Sequence, residues 1–315
     1  MPDVVVVGEA APEGFVPGVP LFRRLALIGV GLIGSSLARI AMERGDIAGE
    51  VVVSARTQGT LDRVRELGIA DRTEIDPAVA VAGADCVILC APVGAYAGIA
   101  GAIGPHLAPG CVVSDVGSTK VSVIRDVGPL LPSGVHFVPA HPMAGTEFSG
   151  PDAGFSSLFE GRWVLITPVP GGDADAVARV AELWRRCGSM IEFMEPEHHD
   201  RVVAVVSHLP HLLAFTICGT ADDLEEQGGD TSRAEVLKFA AAGFRDFTRI
   251  AASDPVMWRD IFLNNREALL EMLARFTEDA QAMAQAVREG DGAYIEERIE
   301  RGRAIRRGLI EAKQA

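Results

Sequence analysis

A short apolar run, Leu25-Ala-Leu-Ile28, opens directly into Gly29-Val-Gly31-Leu-Ile-Gly34 and then into a helical pattern from Ser35 to Arg44. A glycine turn between a strand and a helix constrains the fold more than any other feature of this chain. Gly29 permits the tight turn, Gly31 lets backbone approach a pyrophosphate, and Gly34 allows the helix to pack closely on its strand. The helix N-terminus then faces the phosphates with its unpaired N–H groups. The turn, with Leu32 and Ile33 inside it, predicts a dinucleotide of the nicotinamide or flavin type.

Downstream, the strand–helix unit recurs. Val51–Val53 reads as a second strand and Leu61–Leu67 begins another helix. Cys86–Cys90, Cys111–Ser114, Val135–Pro139, Val164–Thr167 and Ile191–Met194 read as further short buried strands, with a helix over Ala174–Cys187. Short apolar strands alternating with helices predict a doubly wound parallel sheet, an α/β domain of the Rossmann type spanning residues 21–195. After Pro196 no strand-like alternation remains. Helical patterns run over His199–Thr220, Ala234–Phe239, Met257–Arg288 and Ala293–Ala312, so residues 196–315 are expected to form an all-helical domain, with Glu225–Thr231 as a polar loop. Residues 1–20, punctuated by glycine and proline and without a basic n-region, read as a flexible extension rather than a signal peptide.

Charge limits the partners. A net charge of −14 argues against nucleic acid and against an anionic membrane surface. No window is expected to reach the ~20 apolar residues of a membrane helix. Cys86, Cys90, Cys111, Cys187 and Cys218 are odd in number and sit mostly in apolar runs. They read as reduced thiols in a cytoplasmic protein, not as a disulfide framework or a metal site. An acidic chain that binds anions must do so with locally placed arginines.

Cofactor choice is read at the end of the second strand. An NAD enzyme places Asp or Glu about 20 residues past the glycines, on the ribose 2′-hydroxyl. Here Ser54-Ala-Arg56-Thr57 occupies that place. Arg56 can pair with a 2′-phosphate, helped by the hydroxyls of Ser54 or Thr57, so NADP is favoured over NAD.

The chemistry is expected beside this cofactor. His141, in a short loop after the apolar run Val135–Ala140, opens His141-Pro-Met-Ala-Gly-Thr-Glu147. Histidine and glycine turn together suggest a dehydrogenase that removes a hydroxyl proton as hydride leaves. Three more motifs share the chain: Asp115-Val-Gly-Ser118-Thr-Lys120, Ser207-His-Leu-Pro-His211, and Gly243-Phe-Arg-Asp-Phe-Thr-Arg249 continuing to Trp258. This ordered set resembles the prephenate/arogenate dehydrogenase family, the cyclohexadienyl dehydrogenases of tyrosine biosynthesis, over about residues 22–300.

That resemblance implies a Rossmann-type domain followed by a helical domain that forms a homodimer. It implies oxidative decarboxylation of prephenate or arogenate, giving 4-hydroxyphenylpyruvate or tyrosine, with no metal. His141 matches the catalytic histidine, and a neutral imidazole suits proton removal near its working pH. Ser118 matches a serine that bonds the same hydroxyl or the cofactor. Ser207 and His211, four residues apart and so on one helix face, match the substrate-facing pair. Arg249 matches the arginine that holds a substrate carboxylate, Glu147 an acidic residue at the mouth of the site, and Trp258 a tryptophan near it. The segment Gly150-Pro-Asp-Ala-Gly-Phe155 resembles cyclohexadienyl enzymes that accept both substrates. Two other readings are a 3-hydroxyacid dehydrogenase, which would need Lys238 as its catalytic lysine, and a non-catalytic dinucleotide sensor.

Overall fold

A computed structural model describes residues 18–226 and 233–311. The expected extension at 1–20 lies almost wholly outside those residues, as does most of the Glu225–Thr231 loop.

The first six strands alternate with helices, including a strand β3 and a helix α3 that the sequence did not suggest: β1 (Leu25–Ile28), α1 (Leu32–Arg44), β2 (Val51–Ser54), α2 (Gln58–Leu67), β3 (Arg72–Glu74) and α3 (Pro77–Ala80) come first. Then come β4 (Cys86–Leu89), α4 (Tyr96–Ile103), β5 (Val112–Asp115), α5 (Val121–Val127) and β6 (His136–Val138). These strands form one parallel sheet in the order β3-β2-β1-β4-β5-β6. The four central strands, β2, β1, β4 and β5, are buried along their whole length, as strands covered by helices on both faces must be. The chain reverses its winding between β1 and β4, which opens the crevice where such sheets take their ligands.

The remaining strands depart from the expected single sheet. β7 (Ala140–Pro142), β8 (Trp163–Ile166) and β9 (Met190–Phe193), with α6 (Ala174–Arg186) between the last two, form a separate three-stranded sheet. There β7 runs antiparallel to β8, and β8 parallel to β9. Pro139, which has no N–H to donate, separates β6 from β7 and lets the chain leave one sheet for the other.

From Pro196 every described element is helical: α7 (Pro196–Val203), α8 (Leu209–Glu226), α9 (Arg233–Phe239), α10 (Ala242–Thr248), α11 (Pro255–Asn264), α12 (Arg266–Glu289) and α13 (Gly292–Glu311). Two details differ from the simple helical pattern. Between α7 and α8 lies a π-helical stretch, Ala204–His208. Pro210, inside a continuing helix, removes one ladder donor and crowds the carbonyl four residues back, so the turn widens. The expected single helix from Met257 is broken at Asn265, a buried residue whose backbone leaves helical geometry at φ −113 and ψ 35.

By length and composition Pro196–Asp223 is long and apolar enough to cross a membrane, with a mean hydropathy of 1.8, contrary to the sequence expectation. Three of its ionisable residues, His199, Asp200 and His208, are nevertheless buried inside the protein. Asp200 accepts the backbone N–H groups of Lys120 (2.7 Å) and Val121 (3.0 Å) at the start of α5. Packing divides the chain into two compact units, Met1–Arg266 and Glu267–Ala315. In the second, Arg298 pairs with Asp279 at 3.0 Å, and Leu270, Val287, Ile299 and Ile305 are exposed.

Candidate active site

The glycine turn behaves as its residues require. Gly29 sits at φ +106, and a Cβ there would lie 2.7 Å from the Cys90 carbonyl, so the loops after β1 and β4 meet at van der Waals limits. A Cβ on Gly34 would lie 2.4 Å from the Gly29 oxygen. Gly31 is different: it is the N-cap of α1, makes no side-chain cap, and a Cβ on it would meet nothing within 4 Å. Two of the glycines are thus demanded by the protein's own packing. The third faces open space at an uncapped helix N-terminus with no acidic residue in its first turn, as a cradle for a pyrophosphate would. The residues present fit a dinucleotide. Leu32 is buried and Ile33 packs partly against the main core.

At the end of β2, Ser54 is buried while Arg56 and Thr57 are exposed. Thr57 caps α2, accepting the Thr60 N–H at 3.2 Å, so its hydroxyl is partly committed. None of the residues from Ser54 to Thr57 is acidic.

His141 lies within β7, not in a loop after a strand. The antiparallel pairing with Leu165 of β8 holds its backbone, and its side chain is only 7% exposed. Its Nδ1 is 2.9 Å from Nε2 of His199, and Nδ1 of His199 is 2.8 Å from Oδ1 of Asp200. Burial pushes the His141 ring well below the ordinary histidine range, and His199, Lys120 and His208 press in the same direction. His199 is lowered in the same way, by burial and by Lys120 and His208. Both rings are therefore neutral near pH 7.

Beneath them lies a fully buried ion pair. Lys120 Nζ is 2.5 Å from Oδ2 of Asp115 and donates also to the Ala140 carbonyl at 2.7 Å. Asp115 accepts the Ala140 N–H (3.2 Å) and the Gly117 N–H (2.7 Å). Burial raises the Asp115 carboxyl and lowers the Lys120 ammonium, each opposed by its partner. Because both sides of Ala140 are held, the residue before His141 is fixed to the end of β5.

The π-helical stretch presents a second group. His208 is fully buried and its Nδ1 is 3.0 Å from the Asn265 amide nitrogen, which donates also to the Asp200 carbonyl at 2.8 Å. Burial lowers His208 to about 4, Asp200 opposing and His211 adding to the shift. His211 lies half-buried, its Nδ1 2.9 Å from the Ser207 carbonyl, its ring stacked on Trp258 at 3.7 Å between centroids. It is lowered mainly by burial, with the Ser207 carbonyl opposing and Arg249 contributing. Arg249, 61% exposed, pairs with Glu147 at 3.3 Å.

The sequence-predicted residues thus separate into connected groups. His141 and His208 act electrostatically on one another, as do His208 and His211, and His211 and Arg249. Ser118, partly buried, precedes the Thr119–Lys120 step whose backbone Asp200 holds, and its carbonyl lies against the His208 ring. Ser207 offers its carbonyl to His211. Lys238 does not join them: it is exposed on α9, its ammonium 5.2 Å from the Phe239 ring centroid. Sequence reasoning missed His199 and Asp200. Their adjacency in one helix gives no hint of His141, 58 residues away. Among the described residues no cluster of His, Cys, Asp or Glu could hold a metal ion.

Known protein families match both halves of the chain. Residues 39–193 match the prephenate dehydrogenase nucleotide-binding domain, and residues 195–301 the prephenate dehydrogenase dimerization domain. The cyclohexadienyl dehydrogenase of Zymomonas mobilis is 40% identical over 92% of this chain and 97% of its own length. The prephenate dehydrogenase of Bacillus subtilis is 30% identical over 90% of this chain and 76% of its own. A crystal structure of prephenate dehydrogenase from A. aeolicus, in complex with hydroxyphenyl propionate and NAD+, superposes with a TM-score of 0.81 at 32% identity, covering 91% of this chain and 98% of that one. Two matched domains and full-length likeness lead to one assignment: this chain belongs to the prephenate dehydrogenase family.

Proposed function

We propose that the protein catalyses the oxidative decarboxylation of prephenate, arogenate or both, with hydride transfer to a nicotinamide dinucleotide. The observation that carries this reading is His141, a buried imidazole kept neutral by its surroundings in the same compact unit as an open glycine cradle. A histidine must be neutral before it can take a proton.

Gly29, Gly31, Leu32, Ile33 and Gly34 hold the dinucleotide, its pyrophosphate against the N-terminus of α1. The bound nicotinamide supplies the hydride acceptor. His141 takes the proton of the substrate's ring hydroxyl at Nε2, the nitrogen not engaged with His199. Ser118 orients the same hydroxyl. His211, with its ring fixed on Trp258, and Ser207 bind substrate oxygen atoms. Arg249 binds a substrate carboxylate, for which a planar guanidinium offers two parallel donors, and Glu147 holds that guanidinium ready. Loss of the ring carboxylate as CO2 leaves an aromatic ring and makes the reaction effectively irreversible.

The finer assignments rest on separate features. Exposed Arg56 at an acid-free strand end supports NADP over NAD, while the A. aeolicus relative carries NAD+ in its complex. The match to a dimerization domain and the exposed Leu270, Ile299 and Ile305 support a homodimer through residues 196–315, the helical substrate domain that succeeds residues 21–195. The described cysteines are all free thiols, which supports a cytoplasmic setting.

The testing experiment is reduced-nicotinamide formation by the purified protein, crossing prephenate and L-arogenate with NAD and NADP. Turnover with either substrate is expected, faster with NADP. Folded protein that binds a dinucleotide yet is silent in all four combinations would overturn the reading.

A further inference from the structure

We infer that His199 and Asp200 are positioning residues that hold His141 in a single tautomer, with the proton on Nδ1 and a bare lone pair on Nε2. The inference deepens the proposed function, rests on its assignment of His141 as the base, and names two residues that assignment does not need.

Asp200, the outermost group, accepts two backbone donors, the Lys120 N–H at 2.7 Å and the Val121 N–H at 3.0 Å, and its Oδ1 lies 2.8 Å from Nδ1 of His199. Burial raises this carboxyl, and the two backbone N–H groups and the Lys120 charge oppose that rise. Two backbone N–H donors favour a carboxylate, which has no proton to give, so His199 Nδ1 must carry the proton of that contact. In a neutral imidazole the other nitrogen is then an acceptor. That nitrogen, Nε2, lies 2.9 Å from Nδ1 of His141, so His141 Nδ1 must be the donor. The one ring proton of a neutral His141 is thereby engaged, and Nε2 is left as the acceptor. Each step follows from an atom's capacity to donate or accept, and the chain of constraints has one solution.

The anchor is rigid. Asp200 grips the start of α5, and its own carbonyl is held by the Asn265 amide at 2.8 Å. The His141 and His199 rings cross at 65° with centroids 5.1 Å apart, edge to face, which is the geometry of a ring-to-ring hydrogen bond and not of stacking. When the substrate hydroxyl's O–H bond breaks, the new N–H bond forms at His141 Nε2. The resulting imidazolium keeps its Nδ1–H on His199 Nε2, and the Asp200 carboxylate faces the far side of His199. The charged and titratable groups that bear on this pair are Lys120 at the start of α5, His198 on α7 and His208 on the π-helical stretch, with Asp200 in contact with His199. Most of them oppose a positive charge on the rings, and Asp200 is the group placed to favour one.

The test has two arms. The first is nitrogen-15 NMR of the native full-length chain labelled in histidine, with His141 assigned by its disappearance in His141→Asn. A protonated Nδ1 and bare Nε2 are expected near neutral pH; a proton on Nε2 overturns the inference. The second compares two variants. His199→Met leaves His141 Nδ1 without an acceptor and should lower kcat about a hundredfold or more, with substrate KM and cofactor affinity little changed. His199→Gln places an amide oxygen where Nε2 lies and should recover most of that loss. A His199→Met enzyme with kcat within about threefold of native would overturn the inference, since losing a base's orientation costs far more. If His199→Met fails to fold, the native tautomer still decides. That arm needs no turnover, so a chain with the expected tautomer but no activity would sink the proposed function and leave the tautomer assignment standing.

Discussion

Nδ1 of His141, on a strand of the small mixed sheet, lies 2.9 Å from Nε2 of His199 on the first helix past the last strand. This contact crosses from the α/β portion to the helical portion of one compact unit, and it commits one face of the candidate base. Replacing His141 by Asn removes the acceptor nitrogen and should lower turnover about a hundredfold or more. Cofactor affinity, measured by fluorescence titration of the reduced dinucleotide, should stay near native. Near-native turnover would take His141 out of its role.

The glycines offer a sharper separation of folding from binding. Gly31→Ala adds a methyl group to open space and should leave the melting temperature near native while weakening dinucleotide binding about tenfold or more. Gly34→Ala drives its Cβ against the Gly29 oxygen and should lower the melting temperature by several degrees. Equal thermal stability in the two variants would contradict the close packing at Gly34.

Arg249 is held by Glu147 but remains largely exposed. Arg249→Ala should raise substrate KM about tenfold or more, through loss of a charge-assisted bidentate contact. Arg249→Lys should recover only part of that, because an ammonium has no planar fork. An unchanged KM in the alanine variant would mean that another cation binds the carboxylate.

Arg56→Ser should narrow or reverse any preference for NADP, raising KM for NADP while leaving KM for NAD nearly unchanged. A parallel change for both cofactors would show that Arg56 does not meet the 2′-phosphate.

Acid should destabilise the fold through its buried histidines. His208 is lowered to about 4, so between the ordinary histidine range and that value the unfolded chain binds a proton that the folded chain refuses. Stability is then full above about pH 6.5 and falls as pH drops toward about 4, with His141 and His199 acting in the same sense. Chemical-denaturation midpoints taken across that range check the sign. His208→Asn should flatten part of the slope, whereas an unaltered slope would assign the effect to other groups.

Much of this protein is decided locally. The β1–glycine–α1 passage, the run of buried strands and the change to helices after Phe193 are set by side-chain periodicity and by backbone freedom at Gly29, which neighbours in sequence suffice to specify. The four motifs carrying Ser118, His141, His211 and Arg249 are legible for the same reason, as are the glycines of the cradle. What sequence cannot determine is which polar atoms share a proton. The transfer of β7 to a second sheet turns the expected loop at His141 into a strand, the π turn before Pro210 sets His208 apart from His211, and Asn265 breaks a helix that periodicity alone would continue. In sequence, His199 and Asp200 are no more than the polar first turn of a helix. They become partners of His141 only because long-range packing brings α7 against the start of α5, and hydrogen-bond pairing across that distance has no period for a sequence to display.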